Sequence, residues 1–250
     1  MANNWKEDEL LLALHLYCRL PFGKLHQSNP DVIQLAQIIG RTPSAVAMKA
    51  CNFASLDPAL SQKGLAGASK ADRALWDAFM NDSTAIAEQA EALYENKVEA
   101  EINKGVIKPS LPGGTTETIR EVKVRRVQRF FRQAVMQSYD YRCAISGLAM
   151  PELLVASHII PWAANEKRRA DPTNGIALNA LYDKAFDKGL ITFDEDLRVT
   201  LSGRLKENMD GFLFSSSLLS IEGTSLKTPE KFLPDNAALI YHRENIFLAS

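Results

Sequence analysis

The chain has 250 residues, 46% hydrophobic and 24% charged, with a formal net charge of −1. It reads as an ordinary soluble protein able to bury a substantial core in one large domain or two smaller ones. No apolar run approaches the roughly 20 residues that a membrane-spanning helix needs. The start "MANNWKEDEL" lacks the basic lead and apolar core of a signal peptide, so a cytoplasmic protein with no membrane partner is expected. Cys18, Cys51 and Cys143 are too far apart to form a disulfide framework or a paired-cysteine zinc site, and each is expected to be a buried thiol.

The first hundred residues read as helical. Helices are expected over Trp5–Tyr17, Asp31–Ile39 and Ser44–Phe53, then over Lys70–Ile102 with a break near Asn81–Ser83. In "PDVIQLAQIIGRTPSAVAMKACNF", Val32, Leu35, Ala36 and Ile39 form one apolar stripe at helical spacing. Gly40 suits the end of that helix, and Thr42-Pro43 suits the start of the next. In the second helix Val46, Ala50 and Phe53 are expected to face inward, leaving Ser44, Ala45, Met48, Lys49 and Asn52 to solvent or a groove. Two helices joined so tightly resemble a helix-turn-helix or Myb-like unit. Arg41, Lys49 and Asn52 are therefore the candidate DNA contacts here; in a plain helical hairpin they would be a solvated face.

"NKGVIKPSLPGGTTET", Asn103–Thr118, is rich in Pro, Gly and Thr and has no helical period. The expected organisation is a helical recognition domain over 1–104, a linker over 105–118 and a second domain over 119–250. Charge also changes along the chain: residues 1–100 hold 9 Lys+Arg against 12 Asp+Glu, and residues 101–250 hold 20 against 18. The local pattern says more than these totals. "IREVKVRRVQRFFRQAV" places Arg125, Arg129 and Arg132 along one side of a helix and Val124, Val127, Phe130, Phe131 and Val135 along the other. Those arginines are the second set of candidate DNA contacts, which would be made to phosphate, independent of sequence and sensitive to salt.

The richest stretch is "VASHIIPWAANEKRRADPTNGIALNALYDKAFDKGLITF", Val155–Phe193. Leu153–Ser157 suits a short strand ending at His158, and Gly175–Asn179 a second strand after a loop. Ala180–Lys188 suits a helix closed by Gly189. On that helix Asp183 and Asp187 stand at i and i+4, on one face, where like charges normally repel. A divalent cation between them would reverse that penalty, and oxygen ligands suit Mg²⁺ or Mn²⁺. A half-exposed imidazole with a pKa of about 6.5 is a competent base at neutral pH.

The stretches "YRCAISG", "ASHIIPW", "DPTNGIALN" and "LYDKAFDKGLITF" resemble the HNH endonuclease family, and most closely its branch found in restriction endonucleases. The match runs from about Tyr141 to Ser202; the Arg-rich helix before it and the "FLPDNAALIYHRENIF" tail after it extend the likeness to roughly half the chain. The resemblance implies a ββα-metal fold, with His158 as the general base and Asn174 as the brace of the His-bearing loop, together the catalytic set. It implies Asp183 and Asp187 as ligands of one Mg²⁺ or Mn²⁺ ion. Many members carry Asp or His immediately before the base; this chain has Ser157, which leaves the metal to the two aspartates, water and DNA phosphate.

The expected whole is an α+β protein: a mainly helical, helix-turn-helix-like N-terminal domain followed by a ββα-metal HNH nuclease domain. Its expected partner is double-stranded DNA, and its expected activity is that of a restriction or phage-defence endonuclease, with modified cytosine as one form of target rule. One such site cuts one strand, so a double-strand break implies a homodimer or sequential nicking. The alternatives are a DNA-binding regulator with an inactive HNH domain, with Ser157 as the lesion, and a homing or general nuclease. Structural roles are expected for His15, His26 and His242, a strand thiol for Cys143, and a hairpin tip for "DEDL". Lys184, Lys188 and Arg142 lie close enough in sequence to reach phosphate, although surface cations are usually just solvated.

Overall fold

The computed structural model describes residues 4–60, 67–103, 119–207 and 216–249. Two compact units emerge: Met1–Gln137 with Lys167–Asp171, and Ser138–Glu166 with Pro172–Ser250.

The first unit is helical. It contains α1 (Glu7–Arg19), α2 (Pro30–Ile39), α3 (Pro43–Ala54), α4 (Lys70–Asn81), α5 (Ser83–Asn103) and nearly all of α6 (Ile119–Ser138). Local chemistry sets these boundaries. Asn29 Oδ1 accepts from Asp31 N at 2.8 Å to start α2, and Gly40 ends it at φ 68°. Thr42 Oγ1 accepts from Ala45 N at the head of α3, and both helices carry Pro at their start. Asp82, whose Oδ1 accepts from Ala85 N at 3.0 Å, separates α4 from α5, within the break expected there. Helix α1 packs against α2, α3, α4 and α5 and is buried all round from Leu10 to Cys18.

This division differs from the one expected from the Pro/Gly-rich stretch. The expected linker, 105–118, lies outside the described residues, and α6 falls with the first unit rather than the second. Aromatic packing accounts for this. Phe130 of α6 is buried, with its ring 6.0 Å from Phe79 of α4 and 5.9 Å from His15 of α1.

In the second unit β1 (Leu154–His158) pairs antiparallel with β2 (Gly175–Asn179), in a register that sets Ser157 opposite Ile176 and His158 opposite Gly175. Helix α7 (Ala180–Asp187) follows β2 directly and packs on both strands. Asn179 makes the junction, its side chain accepting from Tyr182 N at 2.9 Å. Strands β3 (Ile191–Phe193) and β4 (Val199–Leu201) form a separate hairpin. Its tip is Asp194–Leu197, where Asp194 Oδ1 accepts from Asp196 N and Arg198 N. The short α8 (Gly203–Glu207) and the C-terminal α9 (Asn236–Asn245) complete this description. The fold is α+β, and among the described residues the strands β1–β4 all lie in the second unit.

Gly189 closes α7 at φ 64°, and a Cβ there would meet Ile246 O at 2.0 Å. Its carbonyl also accepts from Leu248 N at 2.9 Å, so the close approach of the C-terminal segment depends on glycine. His242 of α9 lies flat on Phe186 of α7, centroids 3.7 Å apart. Its Nε2 donates to Phe186 O at 3.1 Å, which assigns the tautomer in which Nδ1 accepts from the Thr192 hydroxyl at 2.9 Å. Burial lowers its pKa to about 4.

Candidate active site

His158 is the last residue of β1 and is half-buried, while its neighbour Ser157 points inward at 2% exposure. That alternation follows from the two-residue period of a strand. Directly across the ladder stands Gly175, which presents no side chain to the imidazole.

The chain leaving His158 is tied to the start of β2. Ile159 N donates to Asn174 O at 2.9 Å. The Asn174 side chain then clasps the peptide groups of Ile160, its Oδ1 accepting from Ile160 N at 2.8 Å and its Nδ2 donating to Ile160 O at 3.1 Å. With 1% exposure, this amide acts as a buried brace. Beyond it, Ala164 N bonds Pro161 O at 2.9 Å, and the turn brings Trp162 to His158, ring centroids 5.7 Å apart at 87°. Farther along, Lys167–Asp171 is built into the first unit, where Lys167 O accepts from Ser83 Oγ and Arg169 N donates to Thr84 Oγ1.

Helix α7 carries Asp183, half-buried, and Asp187, exposed. Burial raises the Asp183 pKa, as does repulsion from Asp187, against the opposing pull of the Ser157 hydroxyl and Lys184. Ser157 Oγ lies close enough to exert that pull, yet it is buried without a hydrogen bond of ordinary length and angle. Among the described residues no three His, Cys, Asp or Glu side chains assemble into a metal cage. What stands here is an all-oxygen set of two carboxylates, one of them raised in proton affinity, beside a buried hydroxyl. That set fits a hard divalent cation which keeps much of its water, as Mg²⁺ does. Cys143 is buried, and its Sγ accepts from Asn179 N at 3.4 Å, a structural thiol at the root of α7.

The candidate DNA contacts of the first unit are placed differently from expectation. Lys49 and Asn52 are 7% and 8% exposed, so the outward face assigned to them on α3 is corrected. Lys49 Nζ donates to both oxygens of the fully buried Asp72, at 2.9 and 3.0 Å. Arg41 bonds Glu9 and Asn4 O, and its guanidinium lies 4.3 Å from the centre of the Trp5 ring. Arg129 is paired with Glu91 and Glu95 of α5, beside Arg126, which bonds Glu95 Oε2 at 2.7 Å. Arg125 and Arg132 stand exposed on α6.

Glu91 also receives His15 Nε2 at 3.0 Å in the interior. Burial favours a protonated Glu91, but the bonds and charges of His15 and Arg129 outweigh it and lower its pKa; burial likewise lowers that of His15. His15 and His242 thus have structural settings, and exposed His26 bonds Ser28 Oγ at 2.9 Å. Cys18 is buried, whereas Cys51, expected to be so, is only partly covered, its Sγ 3.8 Å from Leu25 O. Trp162, within "ASHIIPW", carries no site signal of its own in the sequence, whereas the acidic stripe Glu88, Glu91, Glu95 is visible in its helical spacing.

Residues 143–194 match the family described as HNH endonuclease. No curated protein matches the chain. A solved structure described as a modification-dependent TagI restriction endonuclease is similar at 16% identity and a TM-score of 0.33, over 46% of this chain and 37% of that one. The chain thus spans well under half the length of that protein. Among the described residues no helix is long and apolar enough to cross a membrane.

Proposed function

We propose, on the match of residues 143–194 to the HNH endonuclease family, that the protein is a metal-dependent endonuclease hydrolysing phosphodiester bonds of double-stranded DNA. In this reading it is a cytoplasmic restriction or phage-defence enzyme whose target rule is a modified cytosine. The observation that carries the nuclease reading is the ββα arrangement: His158 at the open end of β1, Asn174 bracing the chain beyond it, and α7 laid across both strands with Asp183 on its partly exposed side.

His158 acts as the general base, accepting a proton from the attacking water through an unprotonated ring nitrogen. Asn174 fixes the backbone just beyond the base, so the imidazole starts from a defined position. Asp183 and Asp187 hold Mg²⁺ or Mn²⁺. When bound, the cation supplies positive charge to the scissile phosphate and the departing oxygen. Arg125 and Arg132, exposed residues of α6, contact phosphate. A double-strand break follows if two chains act as a homodimer or if one chain nicks twice.

The test is incubation of one plasmid, prepared with and without cytosine modification, with the protein and Mg²⁺ or Mn²⁺, beside a chelator control and His158→Ala. Cutting confined to the modified plasmid and lost in both controls supports the whole reading. Cutting of both plasmids removes the modification rule and leaves a sequence-specific or general nuclease. Cutting that survives His158→Ala removes the assigned base, and tight DNA binding with no cutting supports the inactive regulator.

A further inference from the structure

We infer that Trp162 is a positioning residue for His158, holding the imidazole in one orientation at the rim of β1. The inference rests on the reading of His158 as the base.

The register gives the reason for such support. A residue on a ladder ordinarily packs against the side chain directly opposite, and opposite His158 that residue is Gly175. The strand therefore fixes the His158 backbone, and the residue directly opposite presents no side chain to the ring. The chain then returns an aromatic side chain to this place. Ile159 and Ile160 are tied to Asn174 by three hydrogen bonds of 2.8–3.1 Å, and the Pro161–Ala164 turn follows at once. Trp162 comes back edge-to-face with the imidazole, 5.7 Å between centroids and 87° between planes. That geometry is one of the two that aromatic pairs favour, and turning either ring about its side-chain bonds would give it up. Trp162 is itself half-buried, so its position is set by packing as well as by the turn. A base whose ring is restricted in this way reaches its proton-accepting geometry without first losing rotational freedom.

The experiment uses the full chain, its Trp162→Ala and Trp162→Phe variants, and His158→Ala. In NMR spectra without DNA, the indole ring current displaces the His158 ring-proton signals, which are assigned by their loss in His158→Ala. Trp162→Ala is expected to return them to ordinary positions, and Trp162→Phe to keep part of the displacement. In cleavage of the plasmid with Mn²⁺, Trp162→Ala is expected to lower kcat by about three- to tenfold with KM unchanged, and Trp162→Phe to recover most of it.

Unmoved His158 signals in Trp162→Ala would overturn the inference. So would an unchanged kcat, or a rise in KM alone, which would make Trp162 a DNA contact instead. If Trp162→Ala does not fold, Trp162→Phe decides: a kcat lowered less than tenfold with a partial NMR displacement supports the role, and undisplaced signals at full kcat overturn it. Full cutting by His158→Ala would bring down the base reading and the positioning role with it. An inactive His158→Ala beside a fully active Trp162→Ala would bring down the positioning role alone.

Discussion

Asn174→Ala removes the two bonds that the amide makes to Ile160, and the magnitude follows from what is left behind. Ile160 is 8% exposed, so its N–H and C=O cannot turn to water without local opening. A buried donor or acceptor stripped of its partner costs about 1–3 kcal/mol. The carbonyl has a second lone pair and loses less than the N–H, which places the total at about 2–4 kcal/mol. Against a typical domain stability of about 5–15 kcal/mol this is large. Urea unfolding at pH 7 measures it, and amide exchange at Ile160 locates it. Asn174→Asp provides a control of opposite logic. At neutral pH its carboxylate still accepts from Ile160 N but sets a second anionic oxygen against Ile160 O. Protonated, it donates there as the amide did. The folded-state pKa of the new carboxyl is thus raised above the ordinary value of about 4. Its penalty is absent below that value and grows as pH rises through the folded one. An Asn174→Ala protein within about 0.5 kcal/mol of the native one, or an Asn174→Asp protein that gains nothing relative to the native one on acidification, would show that the Asn174 amide is not a buried brace.

Three further outcomes can be checked by equilibrium unfolding. Gly189→Ala should destabilise by at least about 2 kcal/mol, because a side chain at φ 64° is strained and its Cβ meets Ile246 O at 2.0 Å; a neutral effect would mean the C-terminal segment does not pack there. His242, 1% exposed, refuses a proton that the unfolded chain accepts. Its contribution is complete above about pH 6.5 and is lost as pH falls towards about 4, by up to about 3 kcal/mol. His15 shifts in the same direction, so the difference between the native protein and His242→Phe across that window isolates His242. Lys49→Met leaves the fully buried Asp72 without its cation and should cost about 3–5 kcal/mol. Lys49→Met with Asp72→Asn should recover most of that, and a harmless single change would show that Lys49 lies at the surface after all.

The strand, loop, strand and helix around His158 were legible because each depends on neighbours in sequence. Asn179 caps α7 from one residue before it, Gly189 stops it from two residues after its end, and the strands lie between prolines and turn residues. The face of α3 was only half legible. Val46, Ala50 and Phe53 do face inward, but so do Lys49 and Asn52, and Lys49 is buried because Asp72, 23 residues downstream, supplies its counter-charge. No pattern within one helix contains that partner. The same holds for α6: of the row Arg125, Arg129 and Arg132 read from the sequence, Arg129 pairs with Glu91 and Glu95, and Arg126, outside that row, pairs with Glu88 and Glu95, which required two helices to be brought together. The boundary at the Pro/Gly-rich stretch followed composition, whereas the compact units follow the burial of Phe130.

These pairings bear on how the protein would hold DNA. A cation already bonded to a carboxylate must give up that bond to reach a phosphate, so its net contribution is the difference between two charge-assisted bonds. Arg41 with Glu9, Lys49 with Asp72 and Arg129 with Glu91 and Glu95 are in that position. Arg125 and Arg132, exposed residues of α6, are the proposed phosphate contacts. Each phosphate contact adds about 0.9 to the slope of log affinity against log salt concentration. Arg125→Ala with Arg132→Ala should therefore shallow that slope by about 2 on duplex DNA, with a similar weakening for every sequence. Arg41→Ala should leave the slope unchanged, because it removes a cation that is engaged with Glu9 in free and bound protein alike. If Arg41→Ala instead shallows it by about 1, Arg41 has exchanged Glu9 for phosphate, and the carboxylate pairs of the first unit are contacts that DNA displaces.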